Sequence, residues 1–325
     1  MTQSDLSILR LGTRGSMLAR AQSGMVASLL EERHPGLKVE LILIKTSGDR
    51  ITDKPLHEFG GKGLFTKELE QALLAREVDF AVHSFKDVPV TMPLVDQSDL
   101  VIASVPPRED PRDVIVSAGG RSLRDLPPGS RVGTGSLRRR AQLLSRRADL
   151  RIEPIRGNID TRLRKRESGE YDAVILAFAG LKRAGLFDSQ VMAVIESDEL
   201  LPAPGQGALA LQCRKEDAGT RELLRALHDE RTGACVEAER ELVRLLEGDC
   251  HSPIAALAEV LEDGLFLRAA VGTRDGSPPV VTASEFQSSN DPMKLAGDVF
   301  EKLEFQGAAK LLHGTHLKPG GGSDD

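Results

Sequence analysis

The sequence predicts an α/β protein: two successive α/β blocks, then a small C-terminal α+β domain with an antiparallel sheet. Three observations carry that prediction. Strand-like and helix-like stretches alternate from the N-terminus to about residue 178. Clustered prolines interrupt the rhythm between 89 and 111. The last stretch holds three strand-like runs and then a helical one. A length of 325 residues suits two or three domains.

Residues 7–12 (SILRLG) read as a short apolar strand broken at Gly12. Met17, Leu18, Ala21, Met25, Leu29 and Leu30 recur near helical spacing over 17–33. Leu37, Val39, Leu41 and Leu43 alternate through 37–45, the period of a strand. Leu69, Leu73 and Leu74 share one face of a helix over 65–77, with Thr66 as its expected N-cap. Residues 78–85 return to strand, and the β-α-β-α-β order predicts a mostly parallel sheet. Pro89, Pro93, Pro106, Pro107 and Pro111 mark a crossover between domains. The second block runs from about 113 to 197, with strands at 113–117, 131–135, 151–155 and 172–178 and helices at 137–147 and 158–168. A Pro/Gly hinge opens 201–213 and leads into a strand. A helical region over 220–246 is expected to break near Thr232-Gly233. Strands near 254–261, 265–271 and 279–286 and a helix near 292–304 follow, and 314–325 reads as disordered.

Composition narrows the function. A net charge of −6 with Trp 0 and Tyr 1 opposes a nucleic-acid binder built on basic charge and stacked bases. Cys213, Cys235 and Cys250 form no CxxC pair and no metal spacing, so no metal is expected and a reducing compartment is. The N-terminal MTQSDLSILR lacks an apolar signal core, and no apolar run approaches ~18 residues. These features predict a cytoplasmic protein with no membrane partner.

The charge is uneven. Residues 131–183 hold fourteen basic and six acidic residues, a local +8, and nearly all the bases are Arg. A planar guanidinium grips carboxylate or phosphate with two parallel donors. Arg138 and Arg139 follow Gly133-Thr134-Gly135-Ser136 at a strand-to-helix turn, Arg156 precedes a second such turn, and Arg183 follows a third strand. In a parallel sheet these turns share the ligand-binding edge, so the pattern predicts a polyanion cleft. Arg146, Arg147, Arg164 and Arg166 are instead expected on solvated helix faces.

Three further motifs stand out. Gly60-Gly61-Lys62-Gly63 is a Gly-rich loop before a helix, but it lacks the Ser or Thr of a Walker A loop. His83-Ser84-Phe85-Lys86-Asp87 ends a strand, where a carboxylate beside a Lys can steer a proton or stabilise a cation. Cys250 lies in the loop Gly248-Asp249-Cys250-His251-Ser252-Pro253 and is expected to be more exposed than Cys213, which sits in an apolar strand pattern, while Cys235 is placed on a helix. A Cys250–His251 pair is not expected, because neighbours in an extended segment point to opposite faces.

Together these motifs resemble the porphobilinogen deaminase family. The matching stretches are GTRGSMLARAQ (12–22), KTSGD (45–49), GGKGLFTKELE (60–70), AVHSFKDVP (81–89), REDPRD (108–113), VGTGSLRRRAQL (132–143), IRGNIDTRL (155–163), GLKRAGL (180–186), LPAPGQGALALQCR (201–214) and EGDCHSPIAA (247–256). The resemblance covers about residues 8–305. It implies head-to-tail condensation of four porphobilinogen molecules, each losing ammonia, into hydroxymethylbilane. It also implies a dipyrromethane cofactor bound by a thioether to Cys250, and Asp87 as the catalytic carboxylate. Cofactor contacts map to Lys86, Asp87, Thr134, Ser136, Arg138, Arg139, Arg156 and Arg162. Substrate contacts map to Arg14, Ser16, Gln22, Lys62, Phe65, Arg156, Arg183 and Gln206.

The family fold implies three domains, the first two like type II periplasmic binding proteins. Residues 1–102 with 203–222 form the first, 103–202 the second and 223–317 the third; 318–325 is a disordered tail, and the family suggests a monomer. An Arg-lined cleft suits this chemistry, because every pyrrole ring adds an acetate and a propionate whose crowded charges repel. The chain departs from the family at Gly135, where the first of two serines is usual, at Phe85 and at the Asp249 and His251 neighbours of Cys250. The rival readings are a non-enzymatic anion-binding protein on the same scaffold and a nucleic-acid binder using the Arg-rich segment.

Overall fold

The computed structural model describes residues 7–46, 66–90, 99–289 and 291–314. Strands β1 (Ser7–Thr13), β2 (Leu37–Leu43), β3 (Phe80–Ser84) and β4 (Leu100–Ser104) belong to a first sheet, and β5 (Asp113–Ser117), β6 (Arg131–Gly133), β7 (Arg151–Glu153), β8 (Ala173–Ala177) and β9 (Met192–Ile195) form a second. The chain then returns: β10 (Leu209–Arg214) inserts between β3 and β4, giving the order β2-β1-β3-β10-β4. The second sheet has the order β7-β6-β8-β5-β9. Strands β11 (Ile254–Val260), β12 (Leu265–Val271) and β13 (Val281–Gln287) form an antiparallel third sheet.

Each large sheet is mixed, with four strands running the same way, as a mostly parallel sheet predicts, and one running against them. β1 runs parallel to β2 and β3, and β6 parallel to β7 and β8. β10 runs antiparallel to both its neighbours, and so does β5. Each arrives from the other block instead of through a crossover helix, so nothing imposes the parallel direction. The proline stretch also contains a strand, β4, which the sequence reading passed over together with β9.

Alternate residues supply opposite faces of the second sheet. Ile115, Val132, Ile152 and Ile175 join one buried cluster, and Val114, Val116, Val174 and Leu176 another. The helix Met17–Arg33 begins at Ser16, whose Oγ accepts from Ala19 N at 3.3 Å. The helix Lys67–Leu74 begins without a cap bond: Thr66 has helical dihedrals and its buried Oγ1 lacks a hydrogen-bond partner. The helical stretch after β10 breaks at 226–229, between Ala218–Arg225 and Glu230–Leu245. Thr232 lies in the first turn of the second helix, where its N–H is taken by Asp229 Oδ1 at 2.7 Å. The helices Glu230–Leu245 and Pro292–Phe305 cover the third sheet through Leu242, Val243, Leu295 and Val299. A further short helix, Ala308–His313, was not anticipated. The tail from 315 lies outside the described residues.

One buried ion pair ties these parts together. Glu239 accepts from both terminal nitrogens of Arg108, at 2.6 and 3.1 Å, from Gly205 N at 2.6 Å and from Ala258 N at 2.8 Å. Arg108 Nε also donates to Gln206 O at 2.8 Å. A buried carboxylate is tolerable only when its lone pairs are filled in this way. The outward crossing, the return crossing and the third sheet therefore meet at one point.

Candidate active site

β3 ends at Ser84 and tightens into a 3-10 turn, Phe85–Asp87. Phe85 is buried beneath the Arg240 guanidinium, 4.9 Å from the ring centroid. That anchor leaves Lys86 half-buried and Asp87 exposed. Lys86 Nζ donates to Gln206 Oε1 at 3.3 Å. Gln206 Nε2 donates to Asp113 Oδ1 at 2.8 Å and to Pro111 O at 2.6 Å. Asp113, wholly buried at the start of β5, also accepts from Arg138 at 2.8 Å and from Arg139 at 3.1 and 2.8 Å. A continuous polar chain thus runs from the Asp87 turn on the first sheet to the arginine pair on the second.

The electrostatics follow from this crowding. Burial pushes the Lys86 ammonium down to about 8, opposed by Asp87 and reinforced by Arg139. Burial alone would raise the Asp113 carboxyl, but Arg139 and Arg138 outweigh it and hold the group well below the carboxylate range. Burial, with Arg139 and Arg156 beside it, pushes Arg162 down to about 10, while the Asp87 charge opposes the shift. Burial likewise brings Arg183 to about 10, with Glu109 opposing. Cations held close together without enough counter-charge are primed for an anion.

The turns of the second sheet position these groups. β6, β7 and β8 run parallel, so the turns carrying Thr134–Ser136, Arg156 and the Phe178–Arg183 helix share one edge. Thr134 Oγ1 accepts from Ser136 N at 3.2 Å, and Ser136 Oγ accepts from Arg139 N at 3.4 Å, capping the helix Leu137–Arg146. A Cβ on residue 135 would stand 3.1 Å from the Ile155 carbonyl, a close approach that a small shift of the neighbour would relieve. Arg162 Nε donates to Gly157 O at 2.8 Å, and Arg183 donates to Gly207 O at 2.7 Å. Arg138 and Arg139 are committed inward: their remaining bonds go to the carbonyls of Leu201 and Ile175. Arg146 and Arg147 bond backbone carbonyls, and Arg164 pairs with Asp160 at 3.4 Å on its own exposed helix.

On the first sheet, Gln22 is buried and its Nε2 donates to Ser84 Oγ at 3.1 Å. Arg14 is half-buried in the turn before Ser16. Behind them, His83 Nε2 meets Gln212 Oε1 at 3.0 Å, and Gln212 Nε2 donates to buried Glu70 at 3.1 Å. Burial pushes His83 down to about 4, Gln212 opposing and Arg14 adding to the shift. Lys62 and Phe65 lie outside the described residues.

Cys250 is exposed on a turn after the helix Glu230–Leu245, and its Sγ lies 3.4 Å from His251 Nδ1. The expectation that these neighbours diverge was wrong, because the segment is a turn and not extended. Nearby, a Cβ on Gly272 would meet both Ala141 Cβ at 2.5 Å and Pro253 Cβ at 3.6 Å. The Cys250 loop therefore leads into a backbone packed on the helix of Arg138 and Arg139. Cys213 is buried, as expected from its apolar strand, and Cys235 is buried on its helix.

Comparison with known proteins matches this arrangement. Residues 9–222 match the family "Porphobilinogen deaminase, dipyromethane cofactor binding domain", and 233–304 match "Porphobilinogen deaminase, C-terminal domain". The chain belongs to the porphobilinogen deaminase family. It is 48% identical over 305 residues to the porphobilinogen deaminase of Syntrophobacter fumaroxidans, covering 94% of this chain and 97% of that one. It is 47% identical over 308 residues to that of Xanthomonas oryzae pv. oryzae, covering 94% and 99%. Among solved structures, a probable amino-acid transporter extracellular-binding protein of Bacillus subtilis aligns with 67% of this chain and 89% of its own at 13% identity, TM-score 0.38.

The family activity is the transferase reaction that makes hydroxymethylbilane from porphobilinogen on a dipyrromethane cofactor, in tetrapyrrole biosynthesis. The donor set fits that group, with an exposed thiol on the third sheet's loop and clustered cations across the first two. No helix among the described residues is long and apolar enough to cross a membrane.

The sequence reading did not single out Asp113, Arg108 or Glu239. Asp113 left one signal, an acidic residue opening the apolar run DVIVS. Glu239 left none, since it sits in an ordinary charged helix.

Proposed function

We propose that Asp87 is the catalytic carboxylate and Cys250 the cofactor anchor of this chain, acting on porphobilinogen. The observation that carries the reading is the company Asp87 keeps. Its charge bears on Lys86 beside it and on Arg162 of the other sheet, so one exposed carboxylate stands among cations from both. The cofactor, when bound, supplies the nucleophilic pyrrole carbon and holds the growing chain. Arg14, Lys86, Arg156, Arg162 and Arg183 bind the acetate and propionate groups, each charge-assisted bond contributing about 1.5–3 kcal/mol. Thr134, Ser136, Ser16, Gln22 and Gln206 orient those cations or add hydrogen bonds.

Loss of ammonia leaves a positive charge on the substrate's pyrrole, and Asp87 Oδ atoms accept its N–H and stabilise that charge. Arg138 and Arg139, pinned by Asp113, supply positive potential without having to reorganise. We also propose that the protein acts as a cytoplasmic monomer. Asp87→Glu keeps the charge but moves it by one methylene. Turnover should fall by ~100-fold or more with the cofactor still attached; wild-type rates in a cofactor-loaded Asp87→Glu protein would remove Asp87 from the role.

A further inference from the structure

The loop that carries Cys250 is more elaborate than a thiol anchor requires. Glu247 adopts a positive φ of 53°, which a non-glycine residue rarely does. A Cβ on Gly248 would run into the end of the Ile254 side chain, so the turn lies close against the first residue of β11. Asp249 then closes the turn twice: its Oδ1 accepts from His251 N at 2.9 Å and from Ser252 Oγ at 2.9 Å. Its own N–H donates to Ser252 Oγ at 2.9 Å. This closure folds two adjacent side chains to the same side, leaving Cys250 Sγ 3.4 Å from His251 Nδ1.

A thiol beside an imidazole is the arrangement that activates a sulfur nucleophile. Asp249 builds that arrangement by accepting from the His251 backbone N–H and the Ser252 hydroxyl, which fixes the turn. Among the described residues the other two thiols have no such partner ring, and burial pushes both up to about 11.

We propose that His251 is the base that takes the Cys250 thiol proton while the cofactor is attached, with Asp249 holding the turn that sets the ring beside the thiol. The proposal rests on Cys250 being the anchor. The step balances without any redox partner. The S–H bond of Cys250 breaks and its proton moves to His251 Nδ1. A C–S bond forms to the pyrrole's methylene carbon as the bond to the leaving group breaks. The leaving group departs as ammonia from porphobilinogen, or as water from hydroxymethylbilane, and carries the proton away from His251. The dyad is needed once per molecule, before turnover begins, so a loaded enzyme does not depend on it.

The test uses the full chain made in a host that produces no porphobilinogen, leaving Cys250 unmodified. Two quantities are read at pH 7: the rate of Cys250 alkylation by iodoacetamide, and the rate of mass gain on adding hydroxymethylbilane or porphobilinogen. A free thiol is only a few per cent thiolate at that pH, and part of any gain is offset because a more acidic thiolate is a weaker nucleophile. Both rates should therefore fall about five- to tenfold in His251→Gln and His251→Ala. Added imidazole should restore the rates in His251→Ala, and every variant, once loaded, should turn over normally. Unchanged rates in both variants overturn the proposal. So does a loss that imidazole does not restore, since that marks a merely structural ring. Cys250→Ser separates the two readings. An adduct that still forms in Cys250→Ser defeats the anchor assignment, whereas the alkylation rates report on His251 regardless.

Discussion

Asp113 has no outlet to solvent and four donors converging on it, from Arg138, Arg139 and Gln206. Removing its charge leaves two buried guanidinium groups facing each other. Asp113→Asn should destabilise the protein by about 3–5 kcal/mol in urea unfolding, the cost of breaking a buried pair. It should also lower the Lys86 pKa below about 8, since Asp113 is one of the charges supporting that ammonium. The pH dependence of lysine methylation followed by NMR reads this directly, and an unmoved Lys86 contradicts the geometry. His83 gives a second test at this scale. The unfolded chain takes up a proton near 6.5 but the folded chain only near 4, so acidification between those values favours unfolding. His83→Gln should flatten the stability–pH curve in that window, and an unchanged slope would assign the dependence elsewhere.

Among the elements, the helix Glu230–Leu245 does more than cover the third sheet. Through Glu239 it holds both chain crossings at Arg108 and Gly205. Glu239→Ala should cost about 3–5 kcal/mol, because it strands Arg108, while Glu239→Leu paired with Arg108→Met should recover only part of the loss, since the Gly205 and Ala258 N–H groups stay unpaired. Thermal unfolding of the three proteins checks this; equal losses in the single and double variants would contradict it.

Much at this level was legible in the sequence. Local periodicity located the helix Met17–Arg33, strand β12 and the helix after Ser136 to within a residue. It failed where distant partners decide. β10 and β5 owe their antiparallel direction to crossings between sheets, and β4 and β9 are short strands that exist because β10 and β5 offer them edges. Thr66 sits where a cap residue is expected but does not cap its helix.

At the scale of the whole molecule, the net charge of −6 conceals a cationic junction between two sheets. The motifs that carry the family resemblance lie far apart in the chain, yet those at 81–89, 108–113, 132–143 and 201–214 meet within one polar chain. The resemblance could name Arg138 and Arg139 but not their inward commitment, because the pairing with Asp113 joins residues that only the fold brings together. It marked Cys250 as the anchor, while the His251 contact depends on a turn that adjacent-residue reasoning does not foresee.

If Cys250 is the proposed anchor on which this chain builds hydroxymethylbilane, the purified protein should show it by mass. Intact-protein mass spectrometry with peptide mapping should find an excess of two linked pyrrole units on the Cys250 peptide, and further ring-sized increments on exposure to porphobilinogen. An unmodified chain that stays unmodified after incubation with porphobilinogen or hydroxymethylbilane would contradict that assignment.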